Sequence, residues 1–166
     1  MSSDARVFGA ERIVLGDNVR IDAFCVLSAG DSGEIQIGSH IHIASGARLF
    51  GQGGIVMDDF SSISAGSTLY SASDDYSGRH LMGPAIADRF TAVDARPIRL
   101  QRFAAIGAHA VVLPGVSMGD GSVLGASSTA GRDLDPWTIY AGAPCQPLKA
   151  RSNDMVALAD EFVSGW

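Results

Sequence analysis

Charge is scarce in this chain. Lys and Arg number 12 and Asp and Glu 18 in 166 residues, so charged residues make up 18% where about 25% is usual. The acidic side prevails, with a formal net charge of −6, and there is no basic footprint of the kind that nucleic acid requires. Aromatic residues are also few, at 7%. The two cysteines, Cys25 and Cys145, make neither a disulfide framework nor a zinc site. No apolar run approaches the ~18 residues that span a bilayer, so no membrane insertion is expected. The opening stretch, MSSDARVFGAERIV, lacks the apolar segment of a secretory signal, and a cytoplasmic protein is expected. The length fits one domain better than two.

What is abundant is glycine, 20 of 166 residues or nearly twice the usual ~7%, on a chain that is 46% hydrophobic. Aliphatic residues recur every six positions: Leu15, Ile21, Leu27; Ile37, Ile43, Leu49; Met57, Ile63, Leu69; and Leu100, Ile106, Val112, Met118, Leu124, Ala130. Fourteen of these fifteen are Ile, Leu, Val or Met. Six is a multiple of two, so the period suits very short strands separated by corners and not a 3.6-residue helix. Four positions after most of the aliphatics comes a small or β-branched residue, as at Val19, Cys25, Ala47, Ser67, Ala110, Val116, Ser122 and Ser128. One large and one small inward site per hexad fill a narrow prism layer by layer. Segments such as Leu15-Gly16-Asp17-Asn18 and Met118-Gly119-Asp120-Gly121 supply corner residues that turn at little cost. The reading is a parallel β-solenoid.

Phase slips briefly at residues 31–36 and 51–56, and is lost between Leu69 and Leu100, where Ser71-Ala72-Ser73-Asp74-Asp75-Tyr76-Ser77-Gly78-Arg79-His80 intervenes. A loop of this length is usually functional or disordered. Met155, Val156, Leu158, Ala159, Phe162 and Val163 then follow helical spacing, with Asn153 as the expected N-cap. The division expected is a β-helix over residues 1–150, with a loop inserted at 70–99, and a C-terminal helix over 151–166.

The hexads, the run Ile106-Gly107-Ala108-His109-Ala110-Val111-Val112-Leu113-Pro114-Gly115-Val116 and the closing Tyr140-Ala141-Gly142-Ala143-Pro144-Cys145 resemble the hexapeptide-repeat acyltransferases. The likeness is strongest to sugar acetyltransferases of galactoside and maltose type and to those of polysaccharide and amino-sugar pathways. The resemblance implies an all-β, left-handed parallel β-helix with a long protruding loop and a short C-terminal α-helix. It also implies a homotrimer with sites between subunits, acetyl-CoA as co-substrate and a sugar or nucleotide-sugar as acceptor. Coenzyme A positions carried over are Ala108, Gly125, Ala126, Gly131, Arg132, Lys149 and Arg151.

Acyl transfer from a thioester needs a base, oxyanion stabilisation and positioning. Four histidines are available, and His40 and His109 share one corner slot, in Gly-Ser-His and Gly-Ala-His, where a solvated side chain is expected. The family's catalytic histidine column holds Asp74 here, so the base comes from elsewhere. His42, in Ile41-His42-Ile43-Ala44, is the first choice, with Asp74 as its partner or as a substrate ligand; His80 is the runner-up. Arg48, Asp75, Tyr76 and Arg79 are the substrate-binding candidates. Cys25 occupies an inward slot, and neither cysteine has a base beside it in sequence, so direct attack is favoured over an acyl-enzyme.

Two other classes of function compete with an acyltransferase. A carbonic anhydrase of γ type would need three converging imidazoles with two about five residues apart; His40 and His42 are two apart and the others isolated, so no metal is expected. A structural solenoid needs neither a placed loop nor basic residues after Pro144.

Overall fold

A computed structural model describes residues 1–165; residue 166, the last of the expected C-terminal segment, lies outside them. The chain winds as a three-sided prism of about seven turns. One face stacks strands Arg6–Phe8, Val26–Ser28, Arg48–Phe50, Thr68–Tyr70, Val111–Val112 and Thr129–Ala130, all parallel. The second stacks Ile13–Leu15, Ile35–Ile37, Ile55–Met57, Ile98–Leu100 and Ser117–Met118. The third begins at Arg20–Ile21 and rises through His42–Ile43, Ser62–Ile63, Ala105–Ile106 and Val123–Leu124 to Thr138–Gly142. There Cys145–Ala150 folds back antiparallel and closes it. The fold is the left-handed parallel β-helix with protruding loop and terminal helix that the family resemblance implied.

The hexad aliphatics form the axial core. Leu27, Leu49 and Leu69 stack in register on the first face, and Ile21, Ile43, Ile63, Ile106 and Leu124 on the third. All are at most 2% exposed, and burying a side chain of this kind contributes about 1.5–3 kcal/mol. Leu15 departs from the pattern, at 44% exposure, because its turn is the first and has nothing beneath it.

Corners are made by residues in the left-handed region, and many are not glycine. His40, Phe60, Phe103 and Trp137 take positive φ at successive levels of the corner between the second and third faces. Their rings form a ladder: His40 on Phe60 at 4.9 Å, Phe60 on Phe103 at 5.4 Å, Phe103 on Trp137 at 6.1 Å. Stacking of aromatic pairs contributes beyond area burial and offsets the cost of αL backbone. Gly121 interrupts the ladder with φ +61°, where a Cβ would come 2.3 Å from the Trp137 ring. The helix Met155–Ser164 sets Phe162 edge-on against His40 and Phe60. It starts after Asp154 with no side-chain cap. Asn153, the expected cap, contributes its carbonyl to the Val156 amide instead, which satisfies the same orphan donor class from the backbone.

Candidate active site

The loop leaves the prism at the corner between the first and second faces. Its base is an antiparallel pair, Ala72–Asp74 against Val93–Ala95, with Asp74 opposite Val93. Between this hairpin and the first face lies a cleft of about 570 Å³ lined by Tyr70, Ala72, Ser73, Asp74, Tyr76, Val93, Val111 and Leu113. Asp74, half-buried, accepts from the Gly83 amide at 3.3 Å, so a loop backbone group fixes its carboxylate at the cleft wall. Tyr70 stacks on Phe50, the equivalent position one turn below, at 5.2 Å. A larger hollow of about 820 Å³ runs along the second face past Asp58, Asp59, Arg102 and Asp120 and includes none of the catalytic, substrate or coenzyme A candidates.

Further along the loop, Asp75 gathers three donors: the Ser77 amide and hydroxyl at 2.8 Å each, and His80 Nδ1 at 2.7 Å. The His80 contact first, then Ser77, hold the Asp75 carboxyl down at about 2. Asp75 is therefore ionised at neutral pH, and a neutral His80 donates through Nδ1–H and keeps its lone pair on Nε2. Because the folded value lies below the ordinary 3.8, this anchor is complete above about pH 4 and is lost as pH falls through about 2. Asp75→Asn should mimic the acid loss at neutral pH and speed proteolytic nicking between residues 76 and 80. An unchanged nicking rate would show that the loop is held by other contacts.

His42 projects from the third face and bonds through Nε2 to Asp22 at 2.8 Å; Arg20 holds the other oxygen of Asp22 at 2.8 Å. The Arg20 bond first, then His42, lower the Asp22 carboxyl below its usual range. The structure thus gives His42 a carboxylate, but it is Asp22; Asp74 stands at the other side of the prism, beyond the first face. Arg48 lies exposed on the first face one turn beneath Thr68. Tyr76 and Arg79 are exposed on the loop, with Tyr76 at the cleft. The four histidines occupy two different corners, one face and the loop, and among the described residues no group of three or more His, Cys, Asp or Glu could hold a metal.

Of the coenzyme A positions, Ala108, Gly125 and Ala126 lie on one corner, between the third and first faces, where the Ser127 amide donates to the Ala108 carbonyl. Here the turns press together: a Cβ on Gly107 would come 2.5 Å from the Ala126 nitrogen. Gly131 and Arg132 follow the top strand of the first face and line a pocket of about 200 Å³ with Pro144, Cys145 and Gln146. Arg132 donates to Gln146 at 2.8 Å. Lys149 is exposed on the closing strand. Arg151 is engaged elsewhere. Its guanidinium donates to the carbonyls of Phe103 and Gly121, tying the start of the terminal helix to the aromatic corner. Burial pushes the thiols of Cys25 and Cys145 up, which suits core residues and not nucleophiles.

Sequence reasoning did not find Asp22 beside His42 or the aliphatic wall of the cleft. Arg20, His42 and Ser62 share one column of the third face. That column is the signal that places Asp22, two residues after Arg20, beside His42.

No family model matches the chain. It is 33% identical, over 98% of its own length and 84% of the relative's, to a dTDP-4-amino-4,6-dideoxy-D-glucose acyltransferase of Escherichia coli. Crystal structures of AntD, an N-acyltransferase from Bacillus cereus, superpose with TM-score 0.94 at 40% identity, covering 100% of this chain and 88% of theirs, in one complex with dTDP and coenzyme A. Others hold dTDP-4-amino-4,6-dideoxyglucose with coenzyme A, or dTDP with 3-hydroxybutyryl-CoA. A maltose O-acetyltransferase from Clostridium difficile shares the fold, with TM-score 0.58 at 20% identity over 91% of this chain and 65% of its own.

Proposed function

The chain belongs to the hexapeptide-repeat acyltransferases, with coenzyme A as co-substrate, and from that premise we propose that it acylates the amino group of a dTDP-4-amino-4,6-dideoxyhexose. The observation that carries this reading is likeness over the whole chain to a protein named for that acceptor and to one solved with it. The solved relatives include variants at one serine and one aspartate ten positions apart. In this chain Ser64 is the only serine followed ten positions on by an aspartate, Asp74.

An amine acceptor also accounts for the aspartate in the histidine column. A hydroxyl needs a base to become nucleophilic, whereas an amine attacks once it has lost its ammonium proton. Asp74 holds the nitrogen by a charge-assisted hydrogen bond. The nitrogen lone pair attacks the thioester carbonyl, the C–N bond forms, and the C–S bond breaks with its electron pair left on sulfur. The proton lost by nitrogen ends on the thiolate, giving an amide and free thiol. His80, on the same loop and with Nε2 open, is the imidazole we place as the proton's relay; His42, with Asp22, is the competing relay from a neighbouring subunit. Ser64 and Asp74 stand at opposite edges of the first face of one chain, so a site that uses both takes them from two chains, in keeping with a homotrimer. Arg48 and Arg79 are the cations for the diphosphate, and Arg132 and Lys149 those for coenzyme A.

Two measurements test this. With acetyl-CoA, thiol release should be rapid with dTDP-4-amino-4,6-dideoxyglucose and slight with maltose or a simple galactoside; the reverse order would overturn the nucleotide-sugar reading. Coenzyme A should raise Tm, since a ligand at 100 times its Kd stabilises the folded state by about 2.7 kcal/mol, and Lys149→Glu should reduce the shift by repelling the phosphates. An identical shift in the variant would remove Lys149 from the cofactor site.

A further inference from the structure

Asp74 is the one charged group among the residues that line the cleft, and no cation accompanies it. A diphosphate therefore has no partner there, and the end of the acceptor that enters is the sugar. What faces Asp74 is aliphatic. Val93 is its directly opposed residue across the hairpin, a position whose side chain stands about 5 Å away on the same side of the ladder. Val111 lies beside Thr68 on the first face, and Leu113, 38% exposed, completes the wall. The polar groups nearby are otherwise placed. Ser73 donates to the Asp74 carbonyl, the Tyr70 ring is stacked on Phe50, and Tyr76 is 78% exposed at the rim.

Resting on the function proposed above, we infer that this wall reads the absence of a hydroxyl at C6 of the sugar, with Val93, Val111 and Leu113 as specificity-determining residues. In a 4-amino-4,6-dideoxyhexose the amine and the methyl are carried by adjacent ring carbons. A nitrogen held on Asp74 brings that methyl against the residue paired with Asp74. A hydroxymethyl group in the same place would exchange water for aliphatic carbon and leave a polar group unpaired. Apolar pockets discriminate against an added hydroxyl by up to about 100-fold, so a preference of about 10–100-fold in kcat/KM for the 6-deoxy acceptor is expected.

The experiment compares dTDP-4-amino-4,6-dideoxyglucose with dTDP-4-amino-4-deoxyglucose in the wild type and in Val93→Thr and Leu113→Gln. Val93→Thr keeps the shape and adds a hydroxyl at a position 55% exposed in the free chain, so folding should survive; circular dichroism checks it. The wild type should prefer the 6-deoxy sugar, and both variants should narrow the preference by gaining activity on the 6-hydroxy sugar. Equal use of both sugars by the wild type would overturn the inference and leave the proposed function intact. Acylation of neither would overturn the proposed function and the inference with it. A variant that shifts the choice between acetyl-CoA and longer acyl-CoAs while the sugar ratio stays fixed would assign the wall to the acyl chain and overturn it as well.

Discussion

Asp74→Asn is expected to lower kcat/KM for the amino-sugar by about 10²–10³-fold, the range seen when one group that stabilises charge in the transition state is removed. The asparagine keeps the size and can still accept from the Gly83 amide, so the loop should stay in place and coenzyme A should still raise Tm. What is lost is the negative charge that orients the attacking nitrogen and stabilises the positive charge that develops on it as the C–N bond forms. The comparison that decides the roles is with His80→Ala and His42→Ala. If His80 relays the proton, its removal lowers kcat and flattens the pH profile, while His42→Ala leaves both unchanged. If His42→Ala matches the loss in Asp74→Asn and His80→Ala only raises the acceptor KM, the third-face imidazole is the relay. An Asp74→Asn enzyme with undiminished kcat/KM would remove the cleft from the reaction.

Leu49→Ala should be the most damaging of the conservative core changes. Leu49 is fully buried, with Leu27 one turn below and Leu69 one turn above in strict register. Truncating such a residue costs about 2–5 kcal/mol, because the cavity adds to the lost transfer energy. In a chain of this size that lowers Tm by about 5–20 °C. In a solenoid each turn is held by its two neighbours, so a cavity at a middle turn weakens two interfaces. Leu15→Ala is the control: the residue is 44% exposed on the first turn and has one neighbour. If the two substitutions shift Tm equally, stacking between turns is not what stabilises the prism.

How much of this was readable in the sequence differs between the core and the site. The hexads showed the inward positions because alternation along a strand is a local property: whatever the neighbouring turn does, a residue two places on points to the same side. Loss of the period between Leu69 and Leu100 likewise marked the loop. The contacts of the site depend instead on which residue lies one turn away, and the turns differ in length. Residues equivalent on the third face run Arg20, His42, Ser62, Ala105, Val123 and Ile139, steps of 22, 20, 43, 18 and 16 positions. No single fixed step along the chain reproduces these levels, so the residue that meets His42 is not read off the hexad period alone.

Asp74 was found because it stands in a known column; what it faces was not, because Val93 comes back to it through an excursion with no periodicity, and Val111 reaches it through register between turns. The amino acids alone determined the prism, its core and the place of the loop, since short-range alternation and corner chemistry suffice for those. The partners of each imidazole and the aliphatic wall opposite Asp74 were decided by tertiary structure, because side chains far apart in sequence meet only when the stacking register of the turns is set.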